Sequence, residues 1–175
     1  VTHLRIRNFR ACKDVSLRLE GYTPLVGQNN TGKSSILQAM GWVLRPVALP
    51  SKDFHDPDQP VEISACIEGI TEEILNRIKD REHRKRIESF CPQGRLWIFS
   101  SANAPGKKVN SQKIWDLDQY RGEDEPLHWR TYPPGLSKAV AALVPVPLAV
   151  EAMEDVGEDL GKGKPKAGST IKSLL

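Results

Sequence analysis

The sequence predicts an α/β fold. Three observations carry the prediction: a glycine loop, "GQNNTGKS" (Gly27–Ser34), a short apolar run before it, "YTPLV" (Tyr22–Val26), and an amphipathic helical pattern after it. The loop fits G-x-x-x-x-G-K-[ST], with Gly27, then Gln28, Asn29, Asn30 and Thr31, then Gly32, Lys33 and Ser34. The order strand, glycine loop, helix is that of a P-loop NTPase, and over 22–45 it defines the nucleotide-binding core of the fold.

Each position of the loop has a physical task. Gly27 and Gly32 let the backbone take positive φ and approach an anion closely, so that successive N–H groups from Asn29 to Ser35 point at phosphates. The positive end of the following helix faces the same group. Lys33 supplies a point charge for the β- and γ-phosphate oxygens, and the Ser34 hydroxyl is suited to ligate Mg²⁺. ATP and Mg²⁺ are therefore the expected ligands. A GTPase would need an N/T-K-x-D segment, and "SKD" (Ser51–Asp53) lacks its spacing.

The remaining elements follow from periodicity. "LRIRNF" (Leu4–Phe9) and "VSLRL" (Val15–Leu19) alternate with period two and predict a hairpin ahead of the loop. After the loop, Ile36, Leu37, Met40, Val43 and Leu44 fall on one helical face, and Pro46 stops the helix. Residues 45–60 carry four prolines and several aspartates and read as a turn-rich connection. "VEISACIEG" (Val61–Gly69) alternates again, and Thr71 is a suitable N-cap for a single helix of about 17 residues. "GRLWIFSS" (Gly94–Ser101) and "KIWDLD" (Lys113–Asp118) predict an antiparallel pair of strands, and Leu136–Val144 a further helix. Residues 61–135 thus form a β-rich and helical subdomain. The glycine- and lysine-rich stretch 157–170 reads as a flexible segment, and the closing "STIKSLL" as a helix start cut short.

Composition narrows the class. The chain has 175 residues, 39% of them hydrophobic and 27% charged, with room for one well-buried core. It has no apolar run of the roughly 18 residues that span a bilayer and no signal-peptide core, so a cytoplasmic protein without membrane contact is expected. A net charge of +3 permits phosphate contacts but does not by itself argue for nucleic acid. Cys12, Cys66 and Cys91 lack paired spacing and read as inert thiols, and His3, His55, His83 and His128 are scattered without metal-ligand spacing. Trp42, Trp97, Trp115 and Trp129 read as core. Six Lys or Arg lie between Arg77 and Arg86, and the i,i+4 pairs Glu73/Arg77, Asp80/Arg84 and Glu82/Arg86 make this a solvated helix face.

The pattern formed by Asn8, Phe9 and Arg10, followed by Gly27, Asn29, Asn30, Gly32, Lys33, Ser34 and Ser35, resembles the amino-terminal lobe of ABC-type ATPase heads in recombination and chromosome-maintenance proteins. Within that group it is similar to the OLD (overcoming lysogenization defect) family of ATP-dependent nucleases. Weaker similarity continues through "KDFHD" (Lys52–Asp56). The resemblance implies an ABC-type lobe with an antiparallel β subdomain, and it implies that Asn8, Phe9, Arg10 and Lys13 neighbour the ATP, with Phe9 equally suited to the core. It also places Asp53 near the nucleotide's Mg²⁺, against the plainer reading of a solvated turn aspartate. Gln112 and Gln119 are both candidates for the Mg²⁺-sensing glutamine of such heads. The resemblance further implies DNA as partner and a homodimer of the full-length protein.

Parts of such a head are not found. The nearest match to a Walker B strand is "PVPLAVE", ending at Glu151, where Pro145 and Pro147 would remove ladder donors. An LSGGQ-like signature and the E…DxD acidic set of a Toprim nuclease domain are also missing from the chain. The expectation is an incomplete head that binds ATP and depends on a carboxy-terminal half, or on a separate chain, for Walker B. Related possibilities are a RecF/SMC-like ATP-gated DNA-binding protein and a regulatory module.

Overall fold

Leu4 and Ile6 point to one side of the first strand and Arg5 and Arg7 to the other, and the chain doubles back two residues after Phe9. In the computed structural model, which describes residues 1–29, 31–107, 111–119 and 125–144, these residues form β1 (His3–Phe9) and β2 (Cys12–Arg18), an antiparallel hairpin as expected. β1 also pairs with β3 (Val61–Ile67), and β4 (Leu96–Ala102), β5 (Ser111–Trp115) and β6 (Trp129–Thr131) continue outward. The result is a six-stranded sheet in the order β2-β1-β3-β4-β5-β6, antiparallel throughout. The strand expected over Lys113–Asp118 is β5 shifted toward the amino terminus, and Leu117–Gln119 is a 3₁₀ turn.

One sheet face is apolar. Leu4 and Ile6, then Val61, Ile63 and Ala65, then Leu96, Ile98 and Ile114 are all buried there. Helix α1 (Lys33–Leu44) packs over β1, β3 and β4 on this core. Its buried stripe is rotated from the expected one: Ala39, Trp42, Val43 and Leu44 are buried, Ile36 and Met40 half-buried, and Leu37 exposed. The methyl of Ala39 takes up little room, so the helix seats on a small side chain that an apolar-residue count overlooks. The opposite sheet face carries Cys66, Trp97 and Trp115 as a second buried cluster, with Trp129 half-buried against it.

Two expected elements are corrected. Tyr22–Val26 is not a strand, and Tyr22 and Val26 are 86% and 90% exposed. Their apolar character does not make a strand without a neighbour to close its ladder, and the six-stranded sheet does not include this segment. The single helix after Thr71 is two, α2 (Glu72–Asn76) and α3 (Arg81–Glu88). Thr71 caps α2 through Ile74 N, and Asp80 starts α3 by accepting from Glu82 N and His83 N. Arg84 does not pair with Asp80 as the spacing suggests; its guanidinium bonds the Asn76 side chain and the Asn76 and Ile78 carbonyls, stitching the two helices together. The pair Glu73–Arg77 does form, at 2.7 Å. α4 (Leu136–Leu143) packs on α3 close to its expected place. Asn30, Glu151 and the proline-containing run before it, the 157–170 stretch and "STIKSLL" lie outside the described residues.

Candidate nucleotide site

The loop Gly27–Ser34 leads directly into α1. Gly32 occupies the N-cap in the left-handed region at φ +97°, and no side chain among the described residues caps the helix. No acidic residue sits in the first turn, so no carboxylate of that turn offsets the positive end of the 12-residue helix. The Lys33 ammonium folds back over the loop and donates to the Gly27 and Gln28 carbonyls at 2.9 and 2.6 Å. Thr31 Oγ1 donates to Gln28 O at 2.9 Å, and a Cβ on Gly27 would come within 3.0 Å of that hydroxyl. The loop is therefore closed on its own lysine, with Ser34 exposed and Ser35 buried at its base. A phosphate that accepted from Lys33 would replace these two carbonyls as its partners. The donor set of helix end, lysine and hydroxyl matches the chemistry of a phosphate with a divalent cation.

The hairpin turn abuts this loop, since a Cβ on Gly32 would lie 3.3 Å from Ala11 Cβ. Arg10 takes φ +50° at the first loop position, the sign that a two-residue hairpin turn demands there. Asn8, at φ +57°, adopts a conformation that asparagine tolerates better than other non-glycine residues. Its side-chain amide donates to Asp56 O and Gln59 O at 2.8 and 2.7 Å and accepts from Asp56 N at 2.7 Å. Phe9 forms an isolated bridge with Phe54 and is 2% exposed, which places its ring in the core.

Arg10 ties three segments together. Its Nε donates to Asp53 Oδ1 at 2.7 Å, its Nη1 donates to Gln38 of α1, and its carbonyl accepts from His55 Nδ1 at 2.9 Å. Asp53 is thus a buried partner of Arg10, 6% exposed, and the reading of it as a solvated turn aspartate is corrected. The arginine makes burial of that carboxylate affordable, which the prolines and aspartates of 45–60 do not reveal. Arg10, Ala11, Ser35, Lys52, Asp53 and His55 line a shallow cleft beside the loop. Lys13 is exposed and lines a separate depression with Asn8 and His55. The Gln112 side chain accepts from Ser137 of α4, and Gln119 lies in the 3₁₀ turn after β5.

Sequence reasoning missed one constellation. His3, Cys66 and Glu68 converge, although nothing in their spacing along the chain suggests it. Of the three thiols, Cys12 and Cys66 are buried and Cys91 is half-buried. All three are free, and burial raises each of them, Cys66 to about 11 and Cys91 to about 12.

Residues 1–119 match the family described as the AAA ATPase domain. The chain belongs to that family. It is also 35% identical over 170 residues to the Old nuclease of Escherichia phage P2, a similarity covering 97% of this chain and 28% of that protein. The chain accordingly spans little more than a quarter of the length of this relative, and the likeness supports an OLD-family ATPase lobe. No helix among the described residues is long and apolar enough to cross a membrane.

Proposed function

We propose that this chain is the ATP-binding, ABC-type amino-terminal lobe of an OLD-like ATPase and endonuclease acting on DNA, in phage defence or DNA repair. The observation that carries the proposal is the Gly27–Ser34 loop, with Lys33 folded over the Gly27 and Gln28 carbonyls at the start of α1. ATP phosphates would take the loop amides and the Lys33 ammonium, and Mg²⁺ would take Ser34 Oγ. The cation would supply neutralisation of the β- and γ-phosphate charge. Arg10, held by Asp53 and Gln38, would border the nucleotide, while Asn8 and Phe9 act through the turn they anchor. The Walker B carboxylate, the signature segment and the nuclease acids would come from other parts of the full-length protein, and the 28% share of Old nuclease leaves ample length for them. DNA as substrate rests on the resemblance, with the relative's name adding a nuclease, and a homodimer of the full-length protein rests on the resemblance.

The test is ATP·Mg²⁺ binding and steady-state turnover by this chain, with Lys33→Ala alongside. Binding without turnover, weakened on the order of 100-fold or more by Lys33→Ala (about 2.7 kcal/mol), is the expected result. Lysine-dependent turnover by this chain would place a hydrolytic carboxylate within it and overturn the split-head reading. Binding unaffected by Lys33→Ala would remove the loop from the site.

A further inference from the structure

At the end of β1 away from the Asn8–Arg10 turn, His3 sits directly across from Cys66 in the β1/β3 register. Glu68 follows just beyond the end of β3, and the ligand-type atoms of the three side chains all lie within 4.8 Å of one another. We propose that His3, Cys66 and Glu68 bind a borderline-soft divalent metal ion of the zinc class.

The donor set selects the ion. A thiolate, an imidazole and one carboxylate suit zinc, whereas Mg²⁺ takes oxygen ligands and is poorly served by sulfur. The spacing fits as well. Tetrahedral zinc, with bonds of about 2.0–2.3 Å, holds its ligand atoms roughly 3.3–3.8 Å apart, and Cys66 Sγ already stands 3.9 Å from Glu68 Oε1. Closing the set onto one ion therefore needs small side-chain adjustments and no change of strand register.

Independent contacts hold the ligands in place. The Thr2 hydroxyl lies 3.2 Å from His3 Nδ1, and the Thr2 backbone N–H donates to the Cys66 carbonyl at 2.9 Å, so one residue ties the two ligand-bearing positions together. The His3 ring packs on Trp97, with centroids 5.5 Å apart, and Trp97 is the β4 register partner of Cys66. The Trp97 indole N–H is buried without a hydrogen-bond partner among the described residues, in the same cross-strand row as Cys66. Three protein ligands leave a fourth tetrahedral position for water. On binding, the metal–sulfur bond forms as the Cys66 thiol proton leaves to solvent, and the ion then joins β1 to β3. Six residue steps along β1, about 20 Å, separate His3 from the Phe9 turn, so this metal is distinct from the one expected beside the nucleotide.

The test is Co²⁺ titration of the chelator-treated full chain, followed by absorption spectroscopy and Zn²⁺ competition. Thiolate-to-cobalt charge transfer with tetrahedral ligand-field bands, displaced by Zn²⁺ and indifferent to excess Mg²⁺, is expected. Cys66→Ser should abolish the charge-transfer band. Glu68→Gln, at an exposed position that leaves the fold intact, should weaken Zn²⁺ by more than the roughly 10–100-fold typical of a supporting residue. The absence of a thiolate band in the wild-type chain would overturn the site, as would a band that survives Cys66→Ser.

Discussion

The sheet and the glycine loop share one domain and are held by different means. Leu4, Ala65, Ile98 and Ile114 lie in one cross-strand row, each of them buried. A few residues away, the run leading into the loop leaves Val26 90% exposed and Tyr22 86% exposed. The sheet completes its own ladders and its own core. The loop run is apolar, yet no strand lies beside it in the six-stranded sheet. The contrast teaches that an apolar segment becomes a strand only where another strand is in place to receive it.

The largest test of this contrast is Phe9→Ala. The ring is in the core beneath the turn, and its removal should cost about 3–5 kcal/mol, read as a lowered midpoint in denaturant unfolding. It should also loosen the Phe54 bridge and weaken nucleotide binding indirectly. A cost near zero would mean that turn and sheet are not one packed unit.

Next in size is Asp53→Asn. The Arg10–Asp53 pair is closed on the carboxylate side and about a third open on the arginine side, so the loss should be about 1–2 kcal/mol, below that of a fully buried pair. Arg10→Ala should cost a similar amount, and a double-mutant cycle should show coupling between the two positions. Additive effects would mean that Asp53 does not hold Arg10.

Val26→Asp sharpens the comparison from the opposite side. At so exposed a position the change should stay within about 0.5 kcal/mol for this chain. In a full-length protein where the run pairs with a further strand, the same aspartate should be clearly destabilising. Equal tolerance in both would show that the run is never a strand.

The smallest effect concerns Asp80. Hydrogen bonds from the His83 and Glu82 amides hold its carboxyl below the ordinary carboxylate range. Its contribution to α3 is therefore present above the unfolded-state value near 3.9 and is lost as the pH falls through the lower folded value. Asp80→Asn, which keeps a capping oxygen, should remove that part of the acid dependence while retaining most of the cap. An unchanged acid limb in the unfolding profile would show that the cap carries no charge-dependent stability.

Much of the site was legible in the chain because its geometry is local. The glycines, Lys33 and Ser34 are contiguous, so their spacing alone sets a loop at the start of a helix. Alternation likewise located the hairpin and β3, since period two is a property of a few consecutive residues. The break at Lys79–Asp80 was less legible, because the helix-forming residues on either side hide a cap that competes with continuation.

The sequence by itself determined the glycine loop at the start of α1, the apolar faces of most strands, and the resemblance to an ATPase family, because these depend on residues that are neighbours along the chain. Only the tertiary structure decided that Asn8 is spent on Asp56 and Gln59, that Asp53 is buried against Arg10, that α1 seats on Ala39, and that His3 meets Cys66 and Glu68. Those outcomes depend on which strands pair and in what register. Pairing is settled by burying apolar area and closing backbone hydrogen bonds across the whole sheet, and no short stretch of residues encodes it.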